Sequence, residues 1–310
     1  MALGTEFIYS SKFDEKVLKP MTRIYLQSPR KVSIEVTTRC QLNCVYCTRD
    51  KSKEEDLTLV ALRQMESKLS GVKEIVICGI GESFCYPYLY EALEILKNYQ
   101  ITIITNGAIP IHFEMLNQYG NVKVLIFSID ATTEDKMKAI CVGYHFENLL
   151  DNLEQLKKYP NIAGVVNTTL VVDNLEEIPT IVDFAKEHGL VAVNFELPIG
   201  NEEFTSTYKL QIQKKVKEGM ERAKQKQIIF NPFYRISCHS KGCLNPNITL
   251  NGDFYPCCNA INQGYSTGNI FEERIDQLWE SKTIPYMIKN QICTECKLVK
   301  NLWKVLEGDL

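Results

Sequence analysis

The sequence predicts an α/β fold: a partial (β/α)6 barrel of parallel strands, followed by a small cysteine-rich C-terminal domain with a β-hairpin and a helix. Three observations carry this. Strand-like and helix-like stretches alternate six times between residues 31 and 205, as a parallel sheet requires. Short segments rich in Gly, Asn, Ser and Asp follow successive strands, where parallel α/β folds place their ligands. Nine of the twelve cysteines form two groups, three early in the barrel segment and six near the end of the chain.

Residues 1–30 read as an N-terminal extension, 31–205 as the barrel, 206–235 as a connecting helix and 236–310 as the C-terminal domain. Val32-Ser33-Ile34-Glu35-Val36 alternates like a strand, and Leu57 to Leu69 has helical spacing. Glu74 to Cys78 is a buried-type strand, and Tyr88 to Tyr99 a helix with Leu89, Leu93 and Leu96 on one face. Ile101 to Ile104 and Val122 to Phe127 are the next strands, followed by a helix from about Phe146 to Lys158. Val165 to Val172 and Val191 to Leu197 make strands five and six, with a helix from about Leu175 to His188 between them. Residues 209–226 carry seven basic side chains on a helix, read as a solvated face.

A hydrophobic fraction of 45% supports a true core, and a net charge of −3 gives no basis for a nucleic-acid partner. No apolar run reaches the roughly 18 residues of a membrane span. Twelve cysteines without a secretory leader fit a cytoplasmic setting and metal ligation better than disulfides.

Cys40, Cys44 and Cys47 are spaced C-x3-C-x2-C. Three thiolates on one short loop can hold three irons of a [4Fe–4S] cluster and leave the fourth iron open to a small molecule. A structural zinc site wants four closed ligands. The next cysteines, Cys78 and Cys85, lie a helix and a strand away. After strand two comes Gly79-Ile80-Gly81-Glu82-Ser83, after strand three Thr105-Asn106-Gly107, and after strand four Ser128-Ile129-Asp130. Each alone is an ordinary loop; their succession downstream of the cysteines is specific.

In the C-terminal third, Cys238, Cys243, Cys257, Cys258, Cys293 and Cys296 fall within 59 residues, and an Asn251-Gly252 turn closes a hairpin over residues 248–255. Ligand chemistry alone leaves zinc and an iron–sulfur cluster equally open here.

The cysteine triad and the strand-end segments resemble the radical S-adenosylmethionine (SAM) superfamily over residues 30–200. The resemblance implies a SAM-binding [4Fe–4S] cluster on Cys40, Cys44 and Cys47, whose open iron takes the amino and carboxylate groups of SAM. It implies that Glu82 accepts from the methionine ammonium, that Ser128 and Asp130 bond the ribose, and that Tyr46 lies near the adenine. Gly79 and Gly81 would admit close backbone approach, and Asn106 lies in the matching turn.

Residues 236–300 resemble the SPASM/twitch extension of the same superfamily, which binds auxiliary [4Fe–4S] clusters; the shorter twitch form, with one auxiliary cluster, fits best because no cysteine follows Cys296. That form resembles the 2-deoxy-scyllo-inosamine dehydrogenases, and the domain order also resembles the anaerobic sulfatase-maturating enzymes. The ligand candidates are Cys238, Cys243, Cys257, Cys293 and Cys296, five for four places, with Cys258 a non-ligand neighbour.

These resemblances imply hydrogen abstraction from a substrate carbon and a two-electron dehydrogenation of a sugar- or cyclitol-like alcohol, served by a flavodoxin- or ferredoxin-type electron donor. His145, Glu196 and Arg235 are candidate bases. The alternative is maturation of a ribosomal peptide, with Cys85 and Cys141 as spare thiols for an epimerase. A non-catalytic iron–sulfur electron carrier, the third reading, has no use for Glu82 or Asp130. The chain ends in Gly308-Asp309-Leu310, without the terminal diglycine of the molybdenum-cofactor GTP cyclases.

Overall fold

The computed structural model of the chain describes residues 28–198, 202–232, 246–256, 264 and 266–283. Their centre is a parallel sheet. Strands β1 (Lys31–Glu35), β2 (Glu74–Cys78), β3 (Gln100–Thr105), β4 (Val122–Ser128), β5 (Ala163–Thr169) and β6 (Ala192–Glu196) pair in that order, every neighbour parallel. These are the six strands expected, each within two or three residues of its reading. A seventh parallel strand, β7 (Ile229–Pro232), adds to the β6 edge. It falls where only a connecting helix was expected. Four residues ending in proline carry no period-2 signal, and proline is tolerated at a sheet edge.

Helices α1 (Leu59–Glu66), α2 (Leu89–Ile95), α3 (Phe113–Asn117), α4 (Glu134–Ile140), α5 (Phe146–Leu156) and α6 (Ile178–Glu187) fill the crossovers, and α7 (Glu202–Thr207) and α8 (Lys209–Lys226) precede β7. Thr58 caps α1 by accepting from the Ala61 N–H at 3.1 Å, which fixes where that helix begins. Leu89, Leu93 and Leu96 are all buried on one face, as the spacing predicts. The short α3 and α4 had no sequence reading, because five and seven residues are too few for a helical period to stand out.

Side chains alternate across the sheet. On β5, Gly164, Val166 and Thr168 are buried, while Ala163, Val165, Asn167 and Thr169 are half-buried. The buried set faces the helices. Phe127 of β4 and Leu149 of α5 both crowd Gly107, and Phe230 of β7 packs on Gly219 of α8. The half-buried set lines the concave face of the open barrel.

The C-terminal segment is continuous with this sheet. β8 (Asn247–Ile248) runs parallel to β1 on its free edge, and β9 (Asp253–Tyr255) and β10 (Gly268–Asn269) extend it by antiparallel pairing. The expected hairpin forms, and Gly252 takes a left-handed φ of 81° in its turn. Trp279 is buried edge-on against Phe254, their ring centroids 6.4 Å apart.

Asn152 of α5 holds the loop after β3. Its Oδ1 accepts from the Ile111 N–H at 2.9 Å, and its Nδ2 donates to the carbonyls of Gly107 and Ile109 at 2.9 and 2.8 Å. Asn152→Ala leaves three backbone groups unpaired, each costing about 1–3 kcal/mol when buried. Urea unfolding should show a loss of about 3 kcal/mol or more, against about 1 kcal/mol for Asn148→Ala, which removes one bond to the Ala108 carbonyl.

Candidate functional site

Cys40, Cys44 and Cys47 lie on the loop after β1, each thiol half-buried and outside any disulfide. Three anchors hold the loop. Asp56 accepts from Thr37 Oγ1 at 2.6 Å and from Arg39 Nε at 2.8 Å at its entry. Asn43–Cys44 pairs antiparallel with Cys141–Val142 at its centre. Arg49 closes it, donating to the carbonyls of Thr38 and Cys40, both at 3.2 Å.

The loop turns backbone amides toward its sulfurs. The Leu42 N–H donates to Cys40 Sγ at 3.5 Å, and the Arg49 N–H to Cys47 Sγ at 3.4 Å. Burial pushes the Cys40 thiol up to about 11. Metal coordination would deprotonate it outright. Arg49 is buried, and its Nε has no partner. Its guanidinium makes no ion pair among the described residues. A buried cation without a carboxylate among the described residues, beside three thiols of which two accept from loop amides, fits a thiolate-ligated, negatively charged cluster.

The strand-end segments converge on this loop. Gly79 and Gly81 approach the chain itself. A Cβ on Gly79 would lie 2.7 Å from Glu35 Cγ, and one on Gly81 2.5 Å from the Thr37 carbonyl and 2.6 Å from that of Arg39. The glycines therefore let the loop after β2 press against the cysteine loop. The Glu82 N–H donates to the Arg39 carbonyl at 2.7 Å. Its carboxylate is 2% exposed. Oε1 accepts from Thr105 Oγ1 at 2.6 Å and the Phe84 N–H at 3.0 Å, and Oε2 from the Asn106 N–H at 2.6 Å. Burial raises its pKa against those three donors. Asn106 Oδ1 accepts from Gln41 Nε2 at 3.1 Å and from the Ala108 N–H at 2.9 Å, so it both shapes its turn and meets the cysteine loop.

Asp130 is also buried. Oδ1 accepts from the Thr169 N–H at 2.9 Å, and Oδ2 from the Tyr46 hydroxyl at 2.5 Å. Tyr46 is thus tied to the strand ends through Asp130. Ser128, half-buried at the end of β4, has no hydroxyl partner among the described residues. The Cys141 thiol is buried 3.3 Å from Cys44 Sγ, a contact without a sequence signal because it depends on a two-residue ladder between segments 97 positions apart. Cys85 is half-buried with its thiol 3.5 Å from Gln41 Oε1. Glu196 closes β6 in register with Thr169. His145 is exposed at the start of α5. Cys238, Cys243, Cys257, Cys258, Cys293, Cys296 and Arg235 lie outside the described residues. Arg49 escaped the sequence reading, since a single arginine two residues past a cysteine carries no pattern.

Comparison with known proteins places this arrangement. The radical SAM superfamily matches residues 34–185, and the SPASM iron–sulfur cluster-binding domain matches residues 238–297. The chain belongs to the radical SAM superfamily and carries a C-terminal SPASM domain. Its cofactors are accordingly SAM, a SAM-binding [4Fe–4S] cluster and auxiliary iron–sulfur ligation in the C-terminal domain. It is 26% identical over 302 residues to an AdoMet-dependent heme synthase of Methanosarcina barkeri, covering 83% of this chain and 84% of that one. It is 28% identical over 176 residues to a GTP 3',8-cyclase of Chlorobaculum tepidum, covering 54% of this chain and only 53% of the cyclase. Streptococcus suis SuiB, solved with S-adenosylmethionine, shares the fold at a TM-score of 0.68 and 18% identity, over 96% of this chain and 76% of SuiB. No helix among the described residues is long and apolar enough to cross a membrane.

Burial raises Asp130 from 3.8 to about 6. For an acid raised on folding, ionisation costs stability. The cost is present above about pH 6 and is relieved as pH falls through that value toward 3.8. Between pH 7 and pH 4, cluster-free wild type should therefore gain about 2–3 kcal/mol relative to Asp130→Asn, whose curve lacks this titration. Urea midpoints of the two proteins across that range measure it.

Proposed function

We propose that this chain is a radical SAM oxidoreductase that removes hydrogen from a carbon of a small sugar- or cyclitol-like alcohol and oxidises it by two electrons to the ketone. The observation that supports it best is the packing of the three-thiol loop onto the ends of β2, β3 and β4, beside a serine hydroxyl that has no partner among the described residues.

When bound and reduced, the cluster and SAM supply a 5′-deoxyadenosyl radical, and one auxiliary cluster, on four of Cys238, Cys243, Cys257, Cys293 and Cys296, supplies an electron acceptor. Cys40, Cys44 and Cys47 hold the first cluster, and Arg49 braces their loop with a buried positive charge. The amides of Leu42 and Arg49 stabilise sulfur in its thiolate form. Gly79, Gly81, Glu82 and Asn106 fix the loops around the methionine end of SAM, with Glu82 positioning the loops through its three donors. Ser128 offers its hydroxyl to the ribose, and Asp130 holds Tyr46 at the adenine side. Glu196, at the end of β6, is better placed than exposed His145 to take the substrate's hydroxyl proton. A flavodoxin- or ferredoxin-type protein delivers the electron in the cytoplasm.

Maturation of a peptide is the second reading. SuiB, whose fold this chain shares, has been solved bound to its precursor peptide SuiA.

Anaerobic reconstitution tests the assignment. Wild type should bind about eight irons, and the Cys40→Ala/Cys44→Ala/Cys47→Ala variant about four, at four irons per cube. Only wild type should form 5′-deoxyadenosine from SAM and dithionite. About four irons with bound zinc in wild type would remove the auxiliary cluster and the two-electron outcome. An equal iron content in wild type and variant would overturn the ligand assignment.

A further inference from the structure

The concave face of the sheet changes character in a single step along the strands. Strand register sets Ile126, Val165, Ala192 and Ile229 side by side on β4 to β7, an apolar rung. Two residues further along each strand, toward the carboxyl ends, register sets Ser128, Asn167, Asn194 and Asn231 side by side. Successive residues alternate faces, so both rungs lie on the same side of the sheet. Four adjacent strands span roughly 14 Å at about 4.8 Å per step. A polar row of that length thus runs from the serine beside the cysteine loop across to the β7 edge.

The described residues leave part of this row's hydrogen-bonding capacity unused. Asn231 Nδ2 donates to Asn194 Oδ1 at 2.8 Å, and both side chains are buried, at 5% and 3% exposure. Each carboxamide has a second polar atom, and neither finds a partner among the described residues. Exchanging the O and N of both amides changes nothing in this argument: one N–H end and one carbonyl end remain on offer. The half-buried Asn167 carboxamide and the Ser128 hydroxyl have no partner among the described residues either. A row kept only for packing would continue the apolar rung that precedes it on the same four strands. The four groups are neutral, and each of them both donates and accepts.

We propose that Asn194 and Asn231, together with Asn167, form the substrate subsite of this barrel, and that they select a neutral substrate whose hydroxyl or amide groups donate and accept in turn. This rests on the oxidoreductase reading above and assigns its substrate end. Ser128 serves SAM at one end of the row, and the three asparagines hold the substrate alongside. No cationic side chain stands in the row, so a phosphate or carboxylate gains no charge partner there, while polyols and amides find one hydrogen-bonding group per strand.

Equilibrium dialysis of the anaerobically reconstituted protein with SAM tests this, using three radiolabelled probes: scyllo-inositol, N-acetylglycinamide and glucose 6-phosphate. Asn194→Asp keeps an oxygen for Asn231 Nδ2 but replaces the free N–H with a charged acceptor; Asn167→Asp does the same at a half-buried position with no structural bond to lose. Saturable binding of a neutral probe, weakened at least tenfold in both variants at unchanged iron content and SAM binding, supports the subsite. The polyol and amide arms identify which group it reads. Preference for the phosphate, or equal behaviour of wild type and variants, including no saturable neutral binding, overturns it. Formation of 5′-deoxyadenosine by wild type is measured separately. Its absence would sink the oxidoreductase reading, whereas loss of the subsite alone leaves it intact.

Discussion

The buried carboxylate of Glu82 joins the pieces on which the site depends. Its backbone N–H reaches the cysteine loop at Arg39, and its two oxygens gather donors from Phe84, Thr105 and Asn106. A carboxylate at 2% exposure is tolerable only with such partners. Two charge-assisted hydrogen bonds, each stronger than a neutral one, tie the loop after β2 to the end of β3, and the Glu82 N–H ties it to the loop after β1. The close contact of Gly81 with the carbonyls of Thr37 and Arg39 is what brings Glu82 within reach, since any Cβ there would force the loops apart.

Asp130 does the same work one strand further on. It ties Tyr46 of the cysteine loop to the Thr169 amide at the end of β5. Both acids expected to touch SAM thus also hold the protein together, whereas Ser128 and Asn167 have no side-chain partner among the described residues and Asn194 and Asn231 have only each other. Charged residues hold the loops at the mouth of the barrel, and neutral ones form the row across β4 to β7. This division suits radical chemistry, in which the cofactor supplies the reactivity and the protein supplies position.

Much of this was legible in the sequence. The strand–helix alternation gave six strands in parallel order, because a buried parallel strand is a run of β-branched and aliphatic residues that needs no partner to be recognised. The C-x3-C-x2-C spacing and the segments after strands two, three and four marked one end of the sheet, because parallel topology puts all strand ends on the same side. The Asn-Gly turn fixed the C-terminal hairpin. Strand β7, helices α3 and α4, and Arg49 left no trace, being too short or too solitary for periodicity or spacing to detect.

The sequence by itself determined the superfamily chemistry: which thiols sit together on one loop, and which polar segments follow which strands. These are local facts, carried by spacing within a few residues. Tertiary structure alone decided which polar groups are satisfied and which are free. Loop packing supplies donors to Glu82 and Asp130, and strand register supplies Asn231 to Asn194, while Asn167 finds no side-chain partner among the described residues. Register couples residues 27 to 37 positions apart, from Asn167 to Asn194 to Asn231, and a hydrogen bond between the last two exists only once β6 and β7 lie side by side.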